Sequence, residues 1–177
     1  MGAPTLDDVK AYLNITVTDK DDELTLFLGA ARRVIERRVG PLEAEAFTQT
    51  YRSRGGDILV SHRPVQSLTS VTVLTDTLAF DIEDLSFDSR AGVVYRLDGG
   101  PIAGTFTLGY TAGLDAVSDN VHLAVLRQVR HMWNTMRGNT RRPTDDDSFQ
   151  SQSGAWYAIP YSVLELLGDD DLVQGIA

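Results

Sequence analysis

The sequence predicts an α+β fold in which helices near both ends of the chain frame an inserted, antiparallel β-rich middle. Three observations predict it. Apolar residues recur at helical spacing through 6–39 and again through 121–136. Between 47 and 110 they recur instead in short alternating runs broken by glycine. No helical stretch long enough for a parallel crossover interrupts that middle, so its five to seven short strands are expected to pair antiparallel.

Each element has its own warrant. Thr5 can cap a helix over 6–13, with Asp8 three residues on as a variant capping box, and Leu6, Val9, Tyr12 and Leu13 share a face. A second helix runs from about Asp21 to Val39, carrying Leu24, Phe27, Leu28, Ala31, Val34, Ile35 and Val39 on one stripe. Acids at its start and Arg37-Arg38 at its end suit the helix dipole, and Gly40-Pro41 stops it. Phe47, Gln49 and Tyr51 precede Gly55-Gly56, and Ile58 and Val60 follow, which predicts a two-residue hairpin. Runs at Leu68–Val73, Phe80–Ile82, Leu85–Phe87 and Val93–Tyr95 read as further strands. Asp98-Gly99-Gly100-Pro101 turns the chain into a strand at Thr105–Thr111, where Phe106, Leu108 and Tyr110 share a face.

Ser118 or Asp119 is placed to cap a third long helix, with Val121, Val125, Val129, Met132, Trp133 and Met136 on one side and Gly138 as its stop. Residues 139–154 are polar, with Arg141-Arg142-Pro143 beside three aspartates, and read as a linker. An aromatic patch, 156–161, leads into a short helix at 162–167. The organisation is therefore a helix pair (1–45), a β-rich insertion (46–113), a long core helix (114–138) and a linker with a terminal docking segment (139–177).

Composition narrows the function. With 177 residues, 42% hydrophobic and 23% charged, the chain is globular and of one-domain size, not disordered. No apolar run approaches the ~20 residues of a membrane-spanning helix, and MGAPTLDDVK has no basic and apolar leader, so neither anchor nor secretion signal is expected. The absence of cysteine removes disulfides, thiolate nucleophiles and sulfur-ligated zinc, and fits a reducing cytoplasm. A net charge of -9 argues against general nucleic-acid binding. Fourteen of the sixteen cations are arginines, several in doublets, which favours bidentate pairing with carboxylates at protein interfaces over a basic patch for DNA.

Catalytic chemistry has little foothold. His122 and His131 are nine apart, not four, so they do not share a metal in the manner of H-E-x-x-H; a third ligand would have to come from elsewhere, for example Asp57 or Asp98. Counted from Asp19, an EF-hand would need Gly where Leu24 stands and Glu where Ala30 stands. No G-x-S-x-G elbow or phosphate-cradling glycine motif occurs. No cofactor and no metal site are expected. The feature that asks for a function is the patch Trp156, Tyr157, Ile159, Pro160 and Tyr161. It reads either as a tail docking on its own core or as an aromatic anchor for a partner, reached through the linker.

The segments LDDVKAYLNI (6–15) and DDELTLFLGAARRVIERRVG (21–40), with GYTAG (109–113), HMWNTMRG (131–138) and AIPYSVLELLG (158–168), resemble in order and spacing the landmarks of the head-to-tail connector (adaptor) proteins of tailed double-stranded-DNA phages. The resemblance covers both ends of the chain, and the middle is a variable part of such proteins. It implies a non-enzymatic structural virion protein of the head–tail interface, assembled in the host cytoplasm as a dodecameric ring beneath the portal. The ring would extend the channel through which double-stranded DNA passes without specific binding, and would offer a surface to a stopper or tail-completion protein. Position in the pattern then assigns 139–177 to portal docking, with Trp156, Tyr157, Ile159, Pro160 and Tyr161 as its contacts. The linker 139–154 departs from the pattern in being long and acidic.

A closed ring needs two different, complementary faces on each subunit. Arg33 and Arg37 on one side, and the acids Asp7, Asp8, Asp21 and Asp22 on the other, are expected to supply them. A net negative wall also suits a channel from which DNA must not gain affinity by releasing counterions. Two rivals stand beside this reading: a stopper or tail-side completion protein, which a mainly β-barrel core would favour, and a metal-dependent hydrolase using His62, His122 or His131.

Overall fold

The computed structural model of the chain describes residues 2–74, 80–136 and 159–168. Their fold is α+β, as expected, and divides into two compact units: one from the described residues of 1–38 and 117–171, the other from those of 39–116.

The first unit is helical. α1 (Leu6–Leu13) opens on a full capping box: Thr5 Oγ1 accepts the Asp8 backbone N–H, and the Asp8 carboxylate accepts the Thr5 N–H at 2.8 Å. The carboxylate also accepts the Thr5 hydroxyl at 2.7 Å, and the backbone and hydroxyl donors of Thr5 together favour the ionised form and hold the Asp8 carboxyl below its ordinary value. Asn14, left-handed at φ 56°, ends the helix. α2 (Asp21–Val39) buries Leu24, Phe27, Leu28, Ala31, Val34 and Ile35, the stripe its 3.6-residue period requires. α3 (Asp119–Met136) starts at Ser118, whose hydroxyl accepts the Val121 N–H at 3.3 Å, and packs against α1 and α4 (Tyr161–Leu167). Phe27 meets Trp133 edge to face at 6.0 Å between centroids. Met136 was expected on the apolar side of the third helix but lies 49% exposed in its last turn, where the neighbouring Thr135 is exposed as well. The expected stop at Gly138 falls outside the described residues.

One core position of α3 breaks the apolar pattern. Gln128 is fully buried, and neither its amide nitrogen nor its oxygen has a hydrogen-bond partner among the described residues. An unmet buried amide is costly, whereas an apolar group of similar shape is not. Gln128→Met is expected to stabilise the protein by about 1–2 kcal/mol, read as a raised urea midpoint. A destabilised variant would show that the amide is bonded in solution.

The second unit holds two three-stranded antiparallel sheets. β1 (Glu45–Arg54), β3 (Val65–Val73) and β6 (Ala103–Ala112) form one in the order β1-β6-β3. β2 (Ile58–Leu59), β4 (Leu85–Asp88) and β5 (Val93–Arg96) form the other in the order β2-β5-β4. β6 is the centre of the first sheet, paired with β1 from Glu45↔Ala112 to Arg54↔Ala103, and its Phe106, Leu108 and Tyr110 are buried together with Ile58, Val65, Phe80, Val94 and Ile102.

The expected hairpin at Gly55-Gly56 does not form. β1 pairs with β6 and β2 with β5, so the glycines carry the chain from one sheet to the other. Their φ values of 116° and 124° lie well away from the roughly +60° of a type I′ turn, and pairing with β6 buries far more apolar surface than a local turn could. The strand expected at Phe80–Ile82 is also replaced: Ile82–Asp84 form a 3-10 turn closed by the Asp84 carboxylate, which accepts the Asp81 N–H at 2.9 Å. A short side chain that satisfies the backbone locally competes with a ladder.

A polar network sits beside this core. Tyr110 donates from its hydroxyl to Gln49 Oε1 at 3.0 Å and accepts the His62 N–H at 3.3 Å, while Tyr51 donates to the same Gln49 oxygen at 2.5 Å. Burial, and then the neighbouring Tyr110, push the Tyr51 hydroxyl up to about 12. An unfolded tyrosine ionises near ~10, so between those values the native state holds the proton longer and stability falls as pH rises. Urea titrations across that window are expected to show the fall, and Tyr51→Phe to flatten it.

Candidate interaction surfaces

The helical unit exposes one face of α2 whose residues follow a single stripe. Asp22, Leu26, Gly29, Arg33 and Arg37, spaced four, three, four and four apart, line a shallow groove together with Thr25, Ala30 and Val34. Leu26 is 71% exposed, and a Cβ added at Gly29 would meet nothing within 4 Å, so the middle of the stripe is open and apolar. Arg33 and Arg37 thus sit together at one end, and Asp22, assigned from sequence to the opposite face, sits at the other end of the same groove. A strip with an acid at one end and two guanidinium groups at the other suits a charged helix or strand laid along it.

The other expected acids take different places. Asp21 forms an ion pair with Lys10 at 2.7 Å, tying α2 to α1. Asp8 closes the cap on α1, and Asp7 is exposed beside it. Leu26 is the surface residue that periodicity passed over: its phase puts it with Asp22 and Arg33 and away from Leu24 and Phe27, which was the available signal.

In the docking segment, Trp156 and Tyr157 lie outside the described residues. Ile159 and Pro160 are half-buried where the chain enters α4, and Tyr161 is 75% exposed. Val163 and Leu167 on the opposite side of α4 are buried, so the short helix is held to its unit while Tyr161 projects from it.

The histidines are dispersed in role. His62 stacks on Phe47, with ring centroids 3.8 Å apart, and its Nδ1 lies 3.3 Å from the Tyr110 hydroxyl. His122 Nδ1 lies 3.4 Å from the Gly2 carbonyl. Asp98, held below its ordinary value by the Gly100 N–H and the Arg96 guanidinium, is bound to Arg96 at 2.6 Å. Among the described residues no three histidine or carboxylate side chains gather as metal ligands, and no helix is long and apolar enough to cross a membrane.

The sequence model of a family described as head completion protein matches residues 4–168. The chain belongs to that family. Its members are structural proteins and not enzymes, which sets aside the hydrolase reading and agrees with the expected head-to-tail component. No curated protein matches the chain. Among solved structures, a chain described as "Neck of empty GTA particle computed with C6 symmetry" is similar in fold, with a TM-score of 0.67 and 16% identity over 96% of this chain and 89% of that one. The helices and both sheets of this head completion protein thus lie within the shared fold.

Proposed function

We propose that this head completion protein is the connector of a phage-like particle: a ring, dodecameric by its resemblance to phage connectors, that sits under the portal, extends the DNA channel and presents a lower surface to the stopper or tail-completion protein. The observation that carries the reading is the family match across 4–168, joined by a fold shared with a protein from the neck of such a particle. The stopper alternative called for a mainly β-barrel core. A helical unit drawn from both ends of the sequence, with the sheets inserted between them, supports the connector instead.

In this reading Arg33 and Arg37 face acids of the neighbouring subunit around the ring, Asp7 foremost, with Asp8 and Asp21 keeping their bonds to Thr5 and Lys10. Asp22, which shares the arginine groove, meets the neighbour from the same side as Leu26 and Gly29. Ile159, Pro160 and Tyr161, preceded by Trp156 and Tyr157, dock on the portal. The organisation into helix pair, insertion, core helix and docking segment follows the same logic. A net charge of -9 keeps the passing DNA from adhering; a channel wall lined by arginines would contradict that part.

Native mass spectrometry of the protein with and without a purified portal tests the proposal. A closed ring, alone or on the portal, is expected. A monomer that ignores the portal would overturn it.

A further inference from the structure

A second groove of the helical unit has a different chemistry. Arg127, Arg130, His131 and Asn134 follow one another at i, i+3, i+4 and i+7 along α3, so they share one face. Tyr12 of α1, with Pro160, Ser162 and Val163 at the start of α4, completes the walls. In a chain of net charge -9, no carboxylate lines this groove among the described residues.

Its two cations lack charged partners: neither Arg127 nor Arg130 has an ion-pair partner among the described residues, and the one bond Arg127 makes there is a long one, from Nη1 to the Ser162 carbonyl at 3.5 Å. His131 Nε2 is buried with no hydrogen-bond partner among the described residues. The His131 ring as a whole is half-buried and lines the groove, so its imidazole forms part of the wall beside the two arginines. Two planar guanidinium forks beside an imidazole match carboxylates in shape and charge.

We propose that this groove binds carboxylate side chains of an acidic segment of a partner protein, with Arg127 and Arg130 pairing the charges and His131 and Asn134 bonding the remaining oxygens. Two arginines and one histidine suffice for one or two carboxylates but make no track for a phosphate backbone, and the long-range field of this acidic chain repels a polyanion. A short acidic peptide is the better fit. The site is separate from the α2 stripe; it shares Pro160 with the proposed docking segment, and its test uses neither the ring nor the portal.

The test is a titration of the full-length protein with a blocked tri-aspartate peptide, followed by NMR at the arginine Nε–Hε and histidine ring signals. Saturable shifts at Arg127, Arg130 and His131 are expected, with a Kd of roughly millimolar order. Arg127→Gln/Arg130→Gln is expected to weaken binding about tenfold. Arg130→Gln alone, at an exposed position, gives a smaller loss should the double variant fail to fold. Arg52→Gln/Arg54→Gln, on exposed positions of β1, removes the same charge and should change nothing. Three results would each overturn the proposal: no shift at the three residues, equal weakening in both double variants, or tighter binding there by a 20-base-pair duplex DNA of matched ionic strength.

Discussion

Gly40→Ala is expected to cost about 3–5 kcal/mol, a large share of the ~5–15 kcal/mol that ordinarily separates folded from unfolded protein. Two effects combine at this position. Gly40 has φ 87°, a conformation that L side chains rarely adopt. An added Cβ would also stand 1.8 Å from the Arg63 carbonyl oxygen, 2.8 Å from its carbon and 3.1 Å from Pro64 Cδ. Those neighbours are backbone and a proline ring, so no flexible side chain can swing aside. Gly56→Ala separates the effects: φ there is 124°, but nothing lies within 4 Å of the new Cβ. Only the conformational penalty of about 1 kcal/mol is expected at Gly56. Urea denaturation of both variants decides the matter, and equal losses would show that close approach at Gly40 contributes nothing.

Tyr161→Ala is expected to behave in the opposite way, with stability unchanged within about 0.5 kcal/mol and portal docking weakened about 30-fold or more. The side chain is 75% exposed, so its removal opens no cavity in its own unit. An aromatic ring that becomes desolvated only on docking contributes at the interface, where such residues commonly carry about 2 kcal/mol or more. Thermal unfolding and a portal-binding titration on the same preparation give the two readouts. Unchanged docking would remove Tyr161 from the proposed contact.

The helices were legible because each carries its own information. The capping box at Thr5 and Asp8, the stripe from Leu24 to Ile35 and the stop at Gly40 are local signals, and local signals decide helix ends. The strands were legible as strands but not as partners. Gly55-Gly56 satisfies the composition of a hairpin turn, and nothing near it in sequence reveals that β1 will choose β6, whose first residue lies 49 positions beyond the end of β1. The surfaces divide in the same manner. Arg33 and Arg37 could be placed on one helix face by spacing alone, whereas the gathering of Tyr12, Arg127, His131 and Ser162 depends on how three helices pack. The nine-residue gap between His122 and His131 spoke only against a shared metal, whereas the neighbour that matters for His131 is Arg127, one turn away.

The discontinuity of the helical unit has a consequence for how the protein is made. α1 and α2 leave the ribosome before α3, so Phe27 has no Trp133 to pack on and the apolar stripe of Leu24, Phe27 and Ile35 lacks its full cover. Residues 39–116 must then be synthesised before α3 appears, a wait of roughly 4–15 seconds at ordinary elongation rates. The described residues of the sheet unit all fall within 39–116, and the Leu114 N–H donates to the Pro41 carbonyl at 2.9 Å, so the two ends of that stretch meet once it has folded. It can therefore close on the nascent chain while the first two helices are still waiting. The apolar stripe of α2 is the surface that aggregation or a chaperone meets during that interval, and a shorter insertion would shorten the exposure in proportion.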